Sequence, residues 1–310
     1  MFLAMSSNIN FPNLGLELNN VPSGFTVFGF YIAFYGVVIA TGMILGVLMA
    51  QWQAKRTGQN PELYLDFALY AIILSVIGAR IYYVAFAWDE FKADPIQIIN
   101  LRTGGLAIYG GVITAVITGL VYCRIKKVSF GLLGDTGMLG MLVGQIIGRW
   151  GNFFNKEAFG KYTDGLFAMQ LDINAVSSDY TCSLATLTNR YADRPDALER
   201  IIEIRNNTKL IDGITYIQVH PTFLYESVWN LILLICLIFY SKHKKFNGEI
   251  LLLYLAGYGL GRVWIEGLRT DQLFLWNSPI AVSQLLSALL VIVSILIIAI
   301  IRIRLKKKTA

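Results

Sequence analysis

Long apolar runs separated by short polar segments dominate the pattern of this chain. Seven runs can be traced, each close to the roughly twenty residues with which an α-helix crosses a hydrocarbon core. They lie at about residues 27–52, 63–87, 106–123, 130–149, 222–241, 248–266 and 280–302. The pattern predicts an all-α polytopic membrane protein with seven transmembrane helices.

The segment between the fourth and the fifth run is polar and carries different signals. Alternating apolar residues at 166–172 and 214–219 predict two short strands, and Pro195 followed by acidic residues predicts the start of a helix. We therefore expect a small mixed α/β insert over residues 161–220, outside the bilayer. Residues 1–160 would then hold transmembrane helices 1–4, and residues 221–310 would hold helices 5–7.

The distribution of lysine and arginine predicts the orientation. Thirteen of these residues lie in the short segments on one side of the predicted membrane, and three lie on the other side, Lys92, Arg102 and Arg269. Because cytoplasmic loops are enriched in lysine and arginine, the amino terminus is predicted outside and the carboxyl terminus in the cytoplasm. This distribution explains the net charge of +6 without a nucleic-acid partner.

Ionisable residues within the runs are costly in a bilayer and therefore indicate a purpose or a partner. With the predicted orientation, polar residues from several runs fall in the outer half of the membrane. They are Tyr31, Tyr35, Arg80, Tyr109, Arg149, Glu226, Arg262 and Glu266. Asp135, early in the fourth run, belongs to the cytoplasmic side and is interpreted as structural. The shared level predicts one site at the outer face.

The residue types at this level suit an anionic lipid. The stretch 148–160 reads Gly-Arg-Trp-Gly-Asn-Phe-Phe-Asn-Lys-Glu-Ala-Phe-Gly and offers Arg149, two amides and Glu157. A guanidinium is permanently charged and binds phosphate oxygens in a bidentate manner. Two or more arginines at this depth would hold the phosphate of a phospholipid and stabilise charge on a departing phosphate.

Simpler explanations stay open for individual residues. Arg262 and Glu266 are four residues apart and would pair on one helix without any ligand. Arg80 would serve as the structural partner of a carboxylate. The glycines of residues 104–111 indicate either tight helix packing or close approach of a substrate to the backbone. His220 either positions the start of the fifth span or acts as a general base.

Five segments, in order along the chain, resemble motifs of the bacterial prolipoprotein diacylglyceryl transferases. They are residues 34–36 (FYG), 104–111 (GGLAIYGG), the stretch 148–160, residues 220–226 (HPTFLYE), and residues 261–266 (GRVWIE) with Arg269 and Asp271. The resemblance covers residues 30 to 300 and implies the seven-helix topology of that family, with the amino end outside.

The family resemblance implies a transferase of lipoprotein biosynthesis in the bacterial cytoplasmic membrane. Such an enzyme moves the diacylglyceryl group of phosphatidylglycerol to the lipobox cysteine thiol of a preprolipoprotein signal peptide and releases glycerol 1-phosphate, the first step of lipoprotein maturation. The resemblance also implies that no metal or organic cofactor takes part. The expected partners are therefore phosphatidylglycerol, the signal peptide and the lipid bilayer.

The resemblance assigns roles to residues of this chain. The family's essential arginines fall on Arg149 and Arg262, which are expected to be catalytic. The residues expected to bind phosphatidylglycerol are Tyr35, Arg149, Asn152, Asn155, Glu157, Gly160, Glu226 and Glu266, with Asn155 included for its place in the stretch 148–160. Arg80, His220 and Arg269 are candidates for supporting roles, and Arg80 is included for its depth in the second run rather than for the resemblance.

Tyr109 is the third catalytic candidate, and it departs from the family pattern. Some members have a histidine, proposed as the base, at this position. Because the pKa of tyrosine is about 10, this side chain is a poor base at neutral pH. Either Tyr109 only positions the substrate, or another group accepts the thiol proton.

A transporter of an anionic solute or lipid is the alternative from another class. Arginines within the membrane would bind such a solute, but this class predicts duplicated halves with interrupted helices and polar groups on both sides. The sequence shows neither feature. A purely structural membrane protein is the third interpretation, and it predicts that the outer charges pair internally and leave no cavity.

Overall fold

A computed structural model describes residues 6–101, 104–270, 272 and 281–309. Arg102 and Asp271, which contribute to the predicted orientation and to the family resemblance, lie outside the described residues. The helices are α1 (Phe34–Arg56), α2 (Glu62–Phe86), α3 (Trp88–Phe91), α4 (Ile108–Lys126), α5 (Phe130–Asn155), α6 (Leu184–Arg190), α7 (Pro195–Asn206), α8 (Thr222–Tyr240), α9 (Glu249–Glu266) and α10 (Val282–Thr309). The strands are β1 (Ser6–Phe11), β2 (Leu16–Pro22), β3 (Gly24–Val27), β4 (Phe30–Ala33), β5 (Met169–Asp172), β6 (Lys209–Ile211) and β7 (Ile214–Val219).

Each predicted apolar run coincides with a long helix. Six of them, α1, α2, α4, α5, α8 and α10, are long and apolar enough to cross a membrane. The sixth run forms α9, whose eighteen residues include Glu249, Arg262 and Glu266. Its composition alone therefore does not mark α9 as a span. The described residues form a mostly helical, multi-pass membrane protein with six candidate spans, and the seventh span stays a prediction.

The predicted start of the first span is wrong. Helix α1 begins at Phe34, and the residues before it form a hairpin in which β3 pairs with β4. Phe28 and Gly29 at the hairpin turn both have positive φ, at 49° and 82°, which is the backbone geometry of a tight two-residue turn. A short run of apolar residues does not distinguish a hairpin from the first turns of a helix.

The polar insert shares a sheet with the amino-terminal segment. The five antiparallel strands lie in the order β2-β1-β5-β7-β6. Strand β7 coincides with the prediction for residues 214–219, β5 covers the second half of the stretch 166–172, and α7 begins at Pro195 as predicted. The sequence did not predict β1, which pairs with β5. Its Ile9 joins Leu171, Leu187 and Ile217 in a core that is completely buried.

The chain divides into two compact units. The first unit comprises the described residues of Met1–Gly46, Met141–Lys242 and Leu252–Ala310, and the second comprises those of Val47–Gly140 and His243–Leu251. The predicted domains are instead continuous segments of the chain, with boundaries at residues 160 and 220. This division stays a prediction.

Asp135 has a structural role within the second unit, in line with its interpretation from the sequence. Its buried carboxylate accepts hydrogen bonds from the backbone N–H groups of Gly248 and Leu251, at 2.9 and 3.0 Å. The ammonium group of Lys244 lies 2.9 Å away. The side chain therefore caps the first turn of α9, whose backbone N–H groups lack partners within the helix.

Candidate active site

Glu226, in the second turn of α8, brings three guanidinium groups together. Its side chain is 3% exposed. Arg149 Nη2 lies 2.5 Å from Oε2, Arg262 Nη1 donates to both carboxylate oxygens at 3.1 and 3.2 Å, and Arg269 Nη1 lies 3.5 Å from Oε1. The carboxylate therefore gathers arginines from α5, from α9 and from the segment after α9 around one point.

Arg262 also pairs with Glu266, one turn further along α9. The explanation that these two residues only pair with each other is therefore insufficient, because Arg262 reaches Glu226 on α8 as well. Two carboxylates face the three guanidinium groups of Arg149, Arg262 and Arg269. Counted over the described residues, the cluster has one more positive than negative side chain, which favours an anionic ligand.

Helix α5 continues beyond the predicted end at residue 149 and reaches Asn155. Arg149 and Asn152 are therefore three residues apart on one helical face. Past the helix end, Glu157 accepts hydrogen bonds from Asn152 Nδ2 at 3.0 Å and from Asn155 Nδ2 at 3.3 Å. Asn155 and Glu157 are exposed. The stretch thus presents an accessible group of amides and a carboxylate near Arg149.

Glycine allows α5 to approach α1 within the first unit. A Cβ atom at Gly151 would lie 2.7 Å from Cδ2 of Tyr35, so the tyrosine ring packs directly on the glycine. Two turns before Gly151 on α5, the helices also meet at Gly144. A Cβ atom at Gly42 of α1 would lie 3.2 Å from the carbonyl oxygen of Gly144. This close packing places Tyr35 beside the stretch that carries Arg149 and Asn152.

Gly160 joins the ends of three segments. Its N–H donates to the carbonyl of His220 at 2.9 Å, and it forms an isolated antiparallel bridge with Arg269. The adjoining N–H of Lys161 donates to the carbonyl of Leu268 at 2.8 Å. A Cβ at Gly160 would lie 2.7 Å from Cβ of His220. Only glycine fits here, and its described contacts hold the segments that lead to Glu226 and Arg269.

His220 is half-buried just before α8, outside the candidate spans. Its Nδ1 lies 3.1 Å from the hydroxyl of Tyr225. Burial lowers the pKa of His220 from its usual value, and the nearby charge of Lys161 lowers this pKa further. The imidazole is therefore kept in its neutral form at neutral pH, the form in which a histidine accepts a proton.

The insert contacts the segment that carries Arg269, through residues that the sequence did not identify. On α7, Arg200 Nη1 donates to the carbonyl of Arg269 at 2.7 Å and to Gln272 Oε1 at 2.9 Å. Arg194 Nη2 donates to the carbonyl of Gln272 at 2.9 Å. Gln272 is 2% exposed and donates in turn to the carbonyl of Glu266. Contacts of this kind with backbone carbonyls leave no pattern in the sequence.

Lys156 is another residue that the sequence left without a role. Its ammonium group is buried and donates to the carbonyl of Val21 at 3.2 Å and to Ser23 Oγ at 3.5 Å. Burial lowers the pKa of Lys156, while the negative charge of Asp172 partly opposes this shift. The contacts tie the end of the stretch 148–160 to the amino-terminal strands.

Arg80 and Tyr109 lie in the second unit, so their place in a common site stays a prediction. All five N–H groups of Arg80 donate to backbone carbonyls between residues 97 and 105, at 2.6 to 3.1 Å. The explanation that Arg80 pairs with a carboxylate is therefore wrong. Tyr109 lies in the first turn of α4 and is 40% exposed.

The glycines around Tyr109 serve close packing. A Cβ at Gly110 would lie 2.5 Å from the carbonyl oxygen of Gly78, so α4 and α2 approach closely. Gly105 has a φ of 74°, and a Cβ there would lie 2.3 Å from Arg80 Nη1. Of the two explanations for residues 104–111, these distances favour tight packing.

The described helices and this charged cluster define a multi-pass membrane protein that gathers arginines at helix ends. The sequence profile of the family described as "Prolipoprotein diacylglyceryl transferase" matches residues 22–300. Similar proteins named phosphatidylglycerol–prolipoprotein diacylglyceryl transferase occur in Bacillus cytotoxicus, with 39% identity over 87% of both chains, and in Bacillus mycoides, with 38% identity over 87% of both chains. That of Clostridioides difficile is 38% identical over 86% of this chain and 90% of its own.

The chain belongs to the prolipoprotein diacylglyceryl transferase family, as the resemblance predicted. The protein is thus a transferase, and the relatives are bacterial. None of these matches favours the transporter alternative.

Proposed function

We propose that the protein transfers the diacylglyceryl group of phosphatidylglycerol to the lipobox cysteine thiol of preprolipoproteins and releases glycerol 1-phosphate. Family membership and the names of the relatives support this activity. The observation that carries the proposal for the site is the cluster of Arg149, Arg262 and Arg269 around Glu226. It offers what a phosphodiester substrate requires, which is a fixed set of guanidinium groups with excess positive charge.

The arginines would bind the phosphate and stabilise the leaving group. Each guanidinium has five N–H donors, and the contact of Arg149 with Glu226 runs through Nη2, so other donors of Arg149 can bind phosphate oxygens while Glu226 stays in place. Arg149 is the most exposed of the three arginines, with 22% of its side chain accessible. We therefore assign the first contact with the phosphate to Arg149 and the positioning of the arginines to Glu226 and Glu266.

In the reaction, the cysteine thiolate would attack the glyceryl carbon that carries the phosphate. The S–C bond forms, the C–O bond to the phosphate breaks, and the bonding electrons leave with glycerol 1-phosphate. The thiol proton passes to a base and finally to the phosphate or the solvent, which balances the reaction. Nearby guanidinium groups lower the pKa of the thiol and stabilise the growing charge on the leaving phosphate.

The remaining residues would position the substrate. Asn152, Asn155 and Glu157 are assigned to the hydroxyls of the glycerol headgroup, because amides and a carboxylate pair well with hydroxyl groups. Tyr35 and Tyr109 are assigned to positioning the substrate. Gly160 is again assigned to the lipid site. Its backbone contacts support the role of holding the neighbouring segments in place. His220 keeps its alternative assignment as the general base; burial keeps it neutral but, by lowering its pKa, also makes it a weaker proton acceptor.

We further propose the membrane arrangement that the charge distribution favours. The chain would cross the bacterial cytoplasmic membrane seven times, with α9 as the sixth span, the amino terminus outside and the carboxyl terminus in the cytoplasm. Residues 161–220 would lie outside the membrane and help to admit the signal peptide. The lipid headgroup and the lipobox cysteine would then meet at the outer surface of the membrane. We propose no nucleic-acid partner.

Transfer from labelled phosphatidylglycerol to a lipobox peptide by the purified protein tests this proposal. Arg149→Gln and Arg262→Gln should each lower the rate at least about tenfold, the factor expected from one lost charge-assisted hydrogen bond. Arg124→Gln is the matched control, because Arg124 is an exposed residue in the last turn of α4 and is not part of the arginine cluster; this variant should retain the parental rate. Parental rates in both site variants would contradict the proposed roles.

A further inference from the structure

A crevice lies between α8, α9 and α10, within the first unit. Its volume is about 610 Å³, in the range of ligand-binding clefts. The described residues that line it are almost all apolar, among them Leu233 and Leu237 of α8, Leu260 of α9, and Val291 and Ile295 of α10. The only charged one is Arg302, which donates to the hydroxyl of Tyr240.

The crevice is closed at one end by close helix contacts. A Cβ at Gly257 would lie 2.5 Å from Leu233 on α8, and one at Gly259 would lie 2.9 Å from the carbonyl oxygen of Ser287 on α10. From this end the space runs along α10 from Val291 to Arg302. A helix, with a diameter of about 10 Å, cannot enter the end where these helices come into contact. An extended hydrocarbon chain is thin enough.

The other end of the crevice is basic. Arg302 lines this end, and α10 continues with Arg304 and the run Lys306, Lys307 and Lys308. Clusters of lysine and arginine next to the membrane end of a helix attract anionic lipids. The apolar walls and the basic end together complement the two parts of an anionic phospholipid.

We propose that this crevice binds an anionic phospholipid, with one acyl chain between α8, α9 and α10 and its phosphate on Arg302 and Tyr240. Fourteen residues of α8 separate Glu226 from Tyr240, which corresponds to about 21 Å along the helix axis. The phosphate would therefore lie far from the arginine cluster, in the opposite leaflet under the proposed topology. The bound lipid would fill the gap that α10 leaves beside its neighbours and would stabilise its packing.

Photolabelling in nanodiscs tests the proposal independently of the transfer reaction. The probe is a phosphatidylserine analogue with a diazirine in its acyl chain, which is anionic but is not the proposed substrate. Peptide mapping should place the label in residues 233–240, 253–260 and 291–298. Excess unlabelled phosphatidylserine should compete with the probe, whereas excess phosphatidylcholine should not.

Two substitutions of equal charge give the matched comparison. Arg302→Gln should reduce this labelling about tenfold, as expected for the loss of one charge-assisted hydrogen bond. Arg304→Gln removes the same charge from α10 outside the crevice and should leave the labelling unchanged. Ala256→Phe fills the crevice and should abolish the labelling while Arg302 remains.

Three outcomes would overturn the proposal. They are equal labelling by a phosphatidylcholine analogue, unchanged labelling in Arg302→Gln, and an equal loss in Arg302→Gln and Arg304→Gln. The last outcome would indicate general attraction to a basic helix end. Failure of the transfer reaction with unchanged photolabelling would count against the proposed function alone.

Discussion

Glu226 is the residue on which the arginine cluster depends most. The change Glu226→Gln keeps the shape of the side chain but removes its charge. The three guanidinium groups within 3.5 Å then face an amide instead of a carboxylate, and the net charge of the cluster rises from +1 to +2. Because like charges repel, Arg149, Arg262 and Arg269 should move apart and lose the spacing that suits a phosphate.

The expected loss of stability follows from burial. Removing one partner of a buried ion pair costs about 3–5 kcal/mol, because the remaining charge stays buried. The arginine side chains are 13 to 22% exposed, so water screens part of the repulsion, and we expect the lower end, about 3 kcal/mol. A change of 1 kcal/mol shifts the melting temperature of a large domain by about 2 °C. The Tm should therefore fall by about 6 °C.

Thermal unfolding in detergent and transfer assays check this prediction together. Glu226→Gln should also lower kcat/KM at least about tenfold, which corresponds to 1.4 kcal/mol of lost stabilisation of the transition state. Glu199→Gln, the same change at an exposed position of α7, is the control and should alter neither quantity. The double variant Glu226→Gln/Arg269→Gln returns the net charge to +1 and should regain part of the lost Tm.

Two results would refute this reasoning. One is a Tm and kcat/KM of Glu226→Gln that equal those of the parent. The other is a double variant whose loss of Tm is the sum of the two single losses, because independent contributions would mean that Glu226 and Arg269 do not interact.

Three further changes test other contacts. Arg200→Gln should lower kcat/KM with little effect on the stability of the insert, because Arg200 donates a hydrogen bond to the backbone carbonyl of Arg269. The control Lys209→Gln, at an exposed position, should leave kcat/KM unchanged. Arg80→Lys should speed proteolysis between residues 97 and 105, since lysine cannot replace five hydrogen bonds to carbonyls; an unchanged cleavage rate would contradict this. Burial lowers the pKa of His220, so the unfolded chain binds more protons and stability should fall as pH decreases below about 6.5. His220→Gln should lessen that fall in Tm, whereas His243→Gln, at an exposed position in the short 3₁₀ helix Ser241–His243, should not.

The sequence predicted the convergence of Arg149, Glu226, Arg262 and Glu266 because of their depth in the membrane. Charged side chains in a bilayer require partners, so residues at one level of different helices are expected to meet. The structure brings these four side chains together, and their catalytic roles stay a prediction. The charges of these residues were therefore the informative signal, more than the exact ends of the helices.

Other contacts could not be predicted from residue types. The hairpin of β3 and β4 is as apolar as the helix that follows it, so its turn at Phe28 and Gly29 was counted as part of a span. Arg80 and Arg200 bind backbone carbonyls, which every residue possesses. The pairing of β1 with β5 joins distant parts of the chain, and neither strand alone indicates its partner.

The ratio of glycerol 1-phosphate to diacylglyceryl thioether is the sharpest test of the proposed transfer reaction. Phosphatidylglycerol labelled in its headgroup and in its acyl chains would be incubated with the purified protein and a lipobox peptide. We expect one glycerol 1-phosphate to be released for each diacylglyceryl thioether formed, and both products to decrease in parallel in Arg149→Gln. Thioether formed without glycerol 1-phosphate, or free fatty acid released in its place, would show that the proposed transfer does not occur.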